Sequence, residues 1–258
     1  MWSGVISPLL ACLTLDGLEA AVKAVTPFLT KVNVIRYADD FVITGNSKEL
    51  LEHTIKPAVE EFLRERGLTL SPEKTRITRI EDGFDFLGQN PRKYKGKLLI
   101  KPARKNKEAF LAKVKETIRK LAAKKTCDMI RALNPMIRGW ANYHRHIVAK
   151  ETFKDVDNQI LRYLWNWVKK RHPNKGKRWL TRKYWLSGPK AWTFSAEEKT
   201  PEGKRRVELI LAAHTNIRRH VKVKSEANPF DPKYDDYFEK RKADKQSRRT
   251  GRAVAIAA

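Results

Sequence analysis

Cysteine is scarce in this 258-residue sequence, which contains only Cys12 and Cys127. Two isolated cysteines cannot form a disulfide framework or a Cys-x-x-Cys zinc site, so the sequence predicts a reducing compartment. No apolar run approaches the length of a membrane-spanning helix, and no basic region precedes the first apolar stretch. We therefore expect a cytoplasmic protein with no membrane partner and no secretory signal.

Acidic residues are also few. The chain has 29 Asp and Glu against 55 Lys and Arg, which gives a formal net charge of +26. This excess is larger than solubility requires and predicts a polyanionic partner such as nucleic acid. Seven Trp, seven Tyr and ten Phe, in a chain that is 41% hydrophobic, argue against wholesale disorder. The composition predicts a folded, basic protein with one or two small cores.

Two adjacent carboxylates, Asp39 and Asp40, lie between short runs of β-branched and aromatic residues at 34–37 and 41–44. These runs predict two strands, which places the pair at the tip of a hairpin. Two neighbouring negative charges are costly unless a cation compensates them, and Mg²⁺ prefers carboxylate oxygens. The pair therefore suggests a magnesium site. A solvated turn is the alternative, because Asp is common in turns.

Hydrophobic spacing predicts mixed helix and strand in the first third of the chain. The apolar stretch 5–22 predicts one helix. The polar residues 46–49 predict the cap of a second helix, which Pro57 should kink. Two short strands, 76–80 and 84–87, are expected to follow as a hairpin.

The pattern becomes helical from Asn106, with apolar residues on one face and lysines on most of the rest. This basic helix could line a nucleic-acid groove, and an ordinary solvated face is the alternative. A short helix from Asp128, a separate helix beginning at Asn134-Pro135 and a third over 152–168 are predicted next. The aromatic residues at helical spacing are interpreted as core packing rather than base stacking: Trp140, Tyr143, Trp165 and Trp167.

Cations then concentrate in the segment 169–179, which Pro173 and Gly176 should hold as a loop. Positive charge interleaved with aromatic rings suits RNA, whose phosphates attract cations and whose unstacked bases lie on rings or guanidinium groups. A merely solvated loop is the alternative. The candidate RNA-binding residues are Arg171, His172, Lys175, Lys177, Arg178, Trp179, Arg182, Lys183 and Tyr184.

Several of these blocks form a family resemblance. Residues 4–11, Tyr37-Ala38-Asp39-Asp40, residues 70–75 and residues 84–88 occur in the order of the palm motifs of group II intron reverse transcriptases, also called maturases, and resemble them. Residues 133–143, followed by the basic segment, are similar to the maturase-specific domain of that family.

The resemblance implies an α+β fold, with a partial reverse-transcriptase palm of antiparallel hairpins and helices followed by a mostly α-helical thumb and maturase domain. The implied division is a partial palm over 1–94, thumb helices over 95–126, the maturase-specific domain over 127–192, a basic extension over 193–243 and a tail expected to lack fixed structure over 244–258.

In such polymerases two magnesium ions activate the primer 3′-hydroxyl and stabilise the leaving pyrophosphate. The resemblance implies that Asp39 and Asp40 would hold them, with Tyr37 and Ala38 beside the nucleotide. Lys74 matches a closing palm motif and could lie near the incoming nucleotide, although a structural salt bridge is an equally good role for it.

The sequence also departs from the family pattern. The family places another metal-binding Asp upstream of the motif with which this chain opens, so we expect the chain alone to be inactive as a polymerase. Residues 228–239 resemble the stretch that in relatives leads into a DNA endonuclease domain. No cluster of Cys and His follows it, and endonuclease activity is not expected.

Three hypotheses remain open. The chain is a maturase fragment that binds intron RNA and assists splicing, the C-terminal half of a split reverse transcriptase, or an inert remnant of a truncated gene. Intron RNA is the expected partner in the first hypothesis. The second adds a DNA primer or target and a separate N-terminal reverse-transcriptase fragment.

Overall fold

The computed structural model describes residues 6–186, 193–201, 203–224 and 227–250. These residues form helices and small antiparallel hairpins rather than one large sheet. The elements are α1 (Ser7–Thr14), α2 (Leu18–Val25), β1 (Asn33–Tyr37), β2 (Asp40–Thr44), a π-helical turn (Leu50–Ile55), α3 (Lys56–Arg64), β3 (Gln89–Tyr94), β4 (Lys97–Pro102), α4 (Arg104–Lys120), α5 (Thr126–His144), α6 (Lys150–Arg171), α7 (Lys177–Tyr184), β5 (Trp185–Leu186), β6 (Thr193–Thr200), β7 (Gly203–Glu208), two 3₁₀ turns (Ala212–His214 and Pro232–Tyr234) and α8 (Asp235–Thr250).

The described residues divide into two compact units. The first contains those up to Phe86 together with Asn90–Leu99, and the second contains Leu87–Gln89 and those from Ile100 onward. No helix among them is long and apolar enough to cross a membrane. The mixture of helix and antiparallel strand agrees with the predicted α+β class. The names palm, thumb and extension stay predictions.

Helices α2 and α3 build the core of the first unit. Leu18 and Val22 of α2 are almost fully buried, as are Val59 and Leu63 of α3. Partly buried apolar residues of β1 and β2 pack against this cluster. The hairpin is therefore held against the helices by one apolar face.

The helix predictions in this unit had mixed outcomes. The single helix over 5–22 is instead α1 and α2, because Gly17 adopts the left-handed conformation with φ of 86° and caps α2. The predicted cap at Ser47 is confirmed, since its Oγ accepts a hydrogen bond from the Leu50 N–H at 3.2 Å. Pro57 is the second residue of α3, and the π-helical turn directly before it continues into α3 with helical φ and ψ at Ile55 and Lys56. Pro57 therefore lies inside a continuous helical run, and the hydrogen-bond pattern of the helix changes directly before it.

The predicted strands over 76–80 and 84–87 are wrong. Strands β3 and β4 lie further along the chain and flank Lys95-Gly96, whose φ values of 45° and 81° have the signs of a type I′ hairpin turn. Irregular backbone runs beside β3 instead, with hydrogen bonds such as Lys93 N–H to Ile80 O at 2.9 Å. Leu87 and Gly88 both have positive φ, at 49° and 70°, which ends extended backbone there.

Helices α4, α5 and α6 build the core of the second unit, and β6 completes it. Met129, Ile137, Phe153 and Phe194 are fully buried in this cluster. Asp157 of α6 is also buried, and its two carboxylate oxygens accept the N–H groups of the first 3₁₀ turn at 2.8 Å each. The carboxylate thereby fixes that turn against α6.

Helix α5 corrects a second prediction, because Asn134-Pro135 does not begin a new helix. Pro135 lies inside α5, and buried residues before and after it, Met129 and Ile137 among them, keep the helix continuous through shared packing. The Asn134 side chain binds distant backbone instead. It accepts from Ile210 N–H at 2.8 Å and donates to Glu208 O at 2.9 Å.

Helices α6 and α8 differ in how well the sequence predicted them. Helix α6 confirms the helix predicted over 152–168 and ends at Arg171, before Pro173. Helix α8 reaches Thr250, although a tail without fixed structure was predicted from 244. Lys, Arg, Gln and Ala have good helix propensity, which supports a helix even without an apolar stripe. Residues 251–258 lie outside the described part.

Candidate functional site

The Asp pair lies at a hairpin tip, as predicted. Strands β1 and β2 pair antiparallel with Val34 opposite Ile43 and Tyr37 opposite Asp40, which leaves Ala38 and Asp39 as the two turn residues. Ala38 has a φ of 51°. In a type II′ turn, one of the two favoured hairpin turns, only the first of the two turn residues has a positive φ. The Asp hairpin has the φ signs of this turn type.

Strand alternation separates the Asp pair from the core. Val34 and Ile43 face the helices of the first unit, so Tyr37 and Asp40 share the opposite face. Tyr37 is 64% exposed, and both Asp39 and Asp40 are exposed. The carboxylates are therefore accessible to a ligand rather than held in internal ion pairs.

The donor set at the tip is two carboxylates. Within the described ranges no group of three or more His, Cys, Asp or Glu side chains could hold a metal ion. Two carboxylates still fit Mg²⁺, which takes one or two protein carboxylates and completes its shell with water and phosphate oxygens. Lys74 is exposed and, among described residues, forms no ion pair or side-chain hydrogen bond, so the salt-bridge role considered for it has no partner there.

A second candidate site lies between the end of α6 and the start of α7. It is an open groove of about 330 Å³, which we call the α6–α7 groove. Its lining residues are Trp165, Lys169, His172, Pro173, Lys175, Lys177 and Leu180. The groove thus combines cations with aromatic and apolar surface.

The two helices position these side chains by simple helical spacing. Trp165 and Lys169 are one turn apart on α6, and the Lys169 Nζ lies 5.7 Å from the Trp165 ring centroid. On α7, Leu180 and Tyr184 are buried and anchor the helix. Trp179 points outward at 38% exposure, with the Lys183 Nζ 4.7 Å from its ring centroid.

The charge of this region is unbalanced. No Asp or Glu occurs between Asp157 and Glu197 in the sequence. Within the described part of the chain, the cations of the segment form no ion pairs: Lys169, Lys170, Arg171, Lys175, Lys177, Arg178, Arg182 and Lys183. Their positive potential is left for an external anion, and a groove concentrates such a field.

Tyr184 corrects the prediction of a base-stacking ring. It is only 3% exposed, its ring stacks on Phe194 at 5.9 Å between centroids, and its hydroxyl lies 2.8 Å from His172 Nε2. Burial raises the pKa of the Tyr184 hydroxyl. The residues from Lys177 to Tyr184 form a helix, so the predicted loop is limited to the stretch between α6 and α7.

Two other predicted contacts have internal partners. Arg171 Nη1 donates to Ala122 O at 3.2 Å and to Lys124 O at 2.7 Å, which ties the end of α6 to the turn after α4. His172 is partly buried, and its pKa is lowered by burial first and then by nearby cations, Lys183 among them. The burial and the nearby cations therefore both favour the neutral form of the His172 ring.

The sequence did not assign Trp165 and Lys169 to the site. Trp165 was assigned to the core because its spacing fits a buried stripe, and it does pack on Trp185 at 5.2 Å between centroids. Its other surface lines the groove. The signal that could have identified it is the i, i+4 relation with Lys169, at the point where the cations begin.

Two protein-family models match successive parts of the chain. Residues 4–90 match the reverse transcriptase (RNA-dependent DNA polymerase) model, and residues 107–185 match the group II intron maturase-specific domain model. The first match contains the Asp hairpin and the second contains the α6–α7 groove. A reverse-transcriptase domain followed by a maturase-specific domain defines the class of protein. The chain belongs to the group II intron reverse transcriptase/maturase family.

A curated relative also matches part of the chain. The ribosomal operon-associated A protein of Euglena longa is 29% identical over 99 residues. The matched stretch covers 38% of this chain and 19% of that relative. The match thus spans about a fifth of the relative's length.

Proposed function

We propose that this chain binds structured intron RNA through the α6–α7 groove and the outward face of α7, and that this binding assists intron splicing. The observation that carries the proposal is the set of cations without acidic partners, in the region that matches the maturase-specific domain. Phosphates supply the missing negative charge. Trp179 adds an exposed ring on which a base can stack.

The test is a salt titration of RNA binding with two charge-matched quadruple variants. One replaces Lys169, Lys175, Lys177 and Lys183 with Ala. The control replaces four exposed lysines that do have glutamate partners within 4 Å, which are Lys23, Lys48, Lys56 and Lys154. Both variants lose four positive charges, so a difference between them reports the location of the charge rather than its total.

The groove variant should bind more weakly and with a flatter salt dependence. Removal of one lysine–phosphate interaction lowers the slope of log affinity against log salt by about 0.7 for single strands and 0.9 for duplexes. Removal of four such interactions lowers the slope by roughly 3. Between 50 and 200 mM salt, the affinity of the groove variant should therefore fall about 100-fold less than the affinity of the wild type. Equal slopes for the two folded variants would contradict the proposed RNA surface.

A second candidate function rests on the exposed Asp pair in the reverse-transcriptase match. We propose that the first unit is part of a palm, that α4 belongs to a thumb, and that Asp39 and Asp40 hold Mg²⁺ when a separate polypeptide completes the site. Magnesium there would supply charge stabilisation to the phosphates and activate a primer hydroxyl. This proposal also places Tyr37 and Ala38 beside the nucleotide and adds a DNA primer as a partner.

This second function is tested by complementation. A polypeptide with the upstream palm motif and fingers of a related enzyme is added to this chain, and extension of a primer on an RNA template is measured. Extension that Asp39→Ala abolishes would support a split polymerase. A stable complex without extension would leave RNA binding as the function.

A further inference from the structure

The α6–α7 groove has an apolar wall as well as its cations. Trp165, Pro173 and Leu180 supply this wall, while Lys169, Lys175 and Lys177 stand around it. A surface that only held phosphates would need no such wall, because cations alone bind a backbone. The wall therefore indicates a ligand with an aromatic or apolar part beside its phosphate.

The size of the groove limits that ligand. At about 330 Å³ it is at the small end of small-molecule pockets, which span about 300–1,000 Å³. A nucleotide fits this range, whereas a double helix can only rest its phosphates on the rim. In RNA, unpaired bases of loops and bulges are splayed out and stack on aromatic rings.

The positions of charge and ring agree with one nucleotide. Lys169 Nζ lies over the Trp165 ring, 5.7 Å from its centre, so a base stacked on that ring lies within reach of this long side chain, whose head group can turn from the ring to the phosphate. Lys175 and Lys177 line the same opening from the α7 side. Among the described residues, no acidic side chain lines the groove to repel the phosphate.

We propose that the α6–α7 groove takes one unpaired nucleotide of the bound RNA, with its base against Trp165 and its phosphate among Lys169, Lys175 and Lys177. This inference rests on the proposed RNA binding and deepens it, because it names an unstacked base as the recognised feature. Trp165 is then a specificity residue, whereas the lysines supply most of the affinity.

The experiment combines a change in the protein with a change in the RNA. The full chain is titrated with an RNA hairpin that has an eight-nucleotide uridine loop, with the same hairpin carrying an abasic loop, and with a duplex of equal phosphate number. The abasic loop keeps every phosphate and removes only the bases. The protein variants are Trp165→Ala, Trp165→Phe as a ring-retaining variant, and Phe230→Ala as a control at an aromatic residue that is 93% exposed outside the groove.

Trp165→Ala should weaken binding to the uridine loop about 5- to 150-fold, which corresponds to the loss of one base stack. The abasic loop should weaken wild-type binding by at least that factor. Trp165→Ala should lose little for the abasic loop or the duplex, so the two changes are not additive. Trp165→Phe should retain most of the base preference, and Phe230→Ala should behave as wild type.

Trp165 also packs on Trp185, so each variant is first checked by circular dichroism and urea unfolding. A crosslinking measurement on the wild type avoids this difficulty altogether. RNA with 4-thiouridine in the loop should crosslink to the tryptic peptide 163–169, which contains Trp165.

The outcomes distinguish the two proposals. Salt-dependent RNA binding with no preference for base-bearing loops, or a crosslink confined to other peptides, overturns the nucleotide site and leaves the RNA surface standing. A folded Trp165→Ala variant that keeps the full base preference also overturns it. Absence of any salt-dependent RNA binding by the wild type overturns both.

Discussion

Arg171 allows the structure and the sequence pattern to be tested against each other. By charge alone, Arg171 and Lys170 are equivalent members of the basic segment, and both are exposed. Arg171, however, donates two hydrogen bonds to carbonyls in the turn after α4 and lies over the Trp167 ring at 5.1 Å. We expect Arg171→Ala to destabilise the fold, and Lys170→Ala to leave stability unchanged.

The magnitude follows from the two hydrogen bonds. A hydrogen bond from a charged group contributes about 1.5–3 kcal/mol when shielded from water, and less when exposed. Because Arg171 is exposed, we expect a total loss of roughly 1–2 kcal/mol in the free energy of unfolding. This corresponds to a fall in Tm of roughly 2–8 °C for a domain of this size.

Urea titration followed by circular dichroism measures the stability of both variants, and a salt titration measures their RNA binding. Each variant loses one charge, so the salt slope should change by no more than about 0.9 in either. If Arg171→Ala unfolds within about 0.5 kcal/mol of Lys170→Ala, the hydrogen bonds to the α4 turn do not hold α6 and the structural role is refuted.

Three further predictions concern other parts of the molecule. The chain alone should extend no primer on an RNA template with magnesium and nucleotides, because the family pattern requires a further metal-binding Asp beyond the two carboxylates of the hairpin tip. Template-dependent extension abolished by Asp39→Ala would contradict this. Trp179→Ala should weaken single-stranded RNA binding about 5- to 150-fold with little change in salt slope. Tyr184→Ala should instead lower the free energy of unfolding by about 3–5 kcal/mol, measured by urea unfolding. Equal stability of the two variants would show that the burial of Tyr184 is unimportant. Burial lowers the pKa of His144 to about 4 from its ordinary 6.5. Between these pH values the unfolded chain binds a proton that the folded chain does not, so the free energy of unfolding should fall as the pH drops from 6.5 to 4. His144→Gln should flatten this dependence, and a pH profile of stability that the substitution leaves unchanged would disprove the link.

Local signals identified the elements that depend on local chemistry. Helices α4 and α6 follow from apolar spacing, and the Asp hairpin follows from strand residues on both sides of a two-residue turn. The division of the first helix at Gly17 depends on one backbone conformation that neighbouring residues do not reveal. The apolar residues on both sides of Gly17 form one continuous pattern, which predicted a single helix.

Distant contacts decide the elements that the sequence missed. Helix α5 continues through Pro135 while Asn134 binds backbone more than 70 residues away. Strands β6 and β7 were not predicted, and Glu198 of β6 forms an ion pair with Arg131 of α5. A pattern within one segment contains no information about such partners.

In the candidate site, too, some features follow from local sequence and others depend on distant contacts. The run of cations was readable because charge needs no partner to be recognised. The roles of the aromatic residues were not readable, since a ring at helical spacing fits the core and the surface equally well. Tyr184 is buried because Phe194 stacks on it, and Trp165 reaches the groove because α6 ends beside α7.

The position of Phe194 has a consequence for how this protein is made. Phe194 is fully buried and contacts the rings of Trp167, Tyr184 and Trp185, yet it lies after residue 192, where the maturase-specific domain was expected to end. A chain cut at that boundary contains every lysine of the groove but exposes the rings that anchor α7. During synthesis, at on the order of 5–20 residues per second, the groove residues leave the ribosome before the strand that completes their packing. The packing that anchors α7 is therefore complete only once β6, which contains Phe194, has been synthesised.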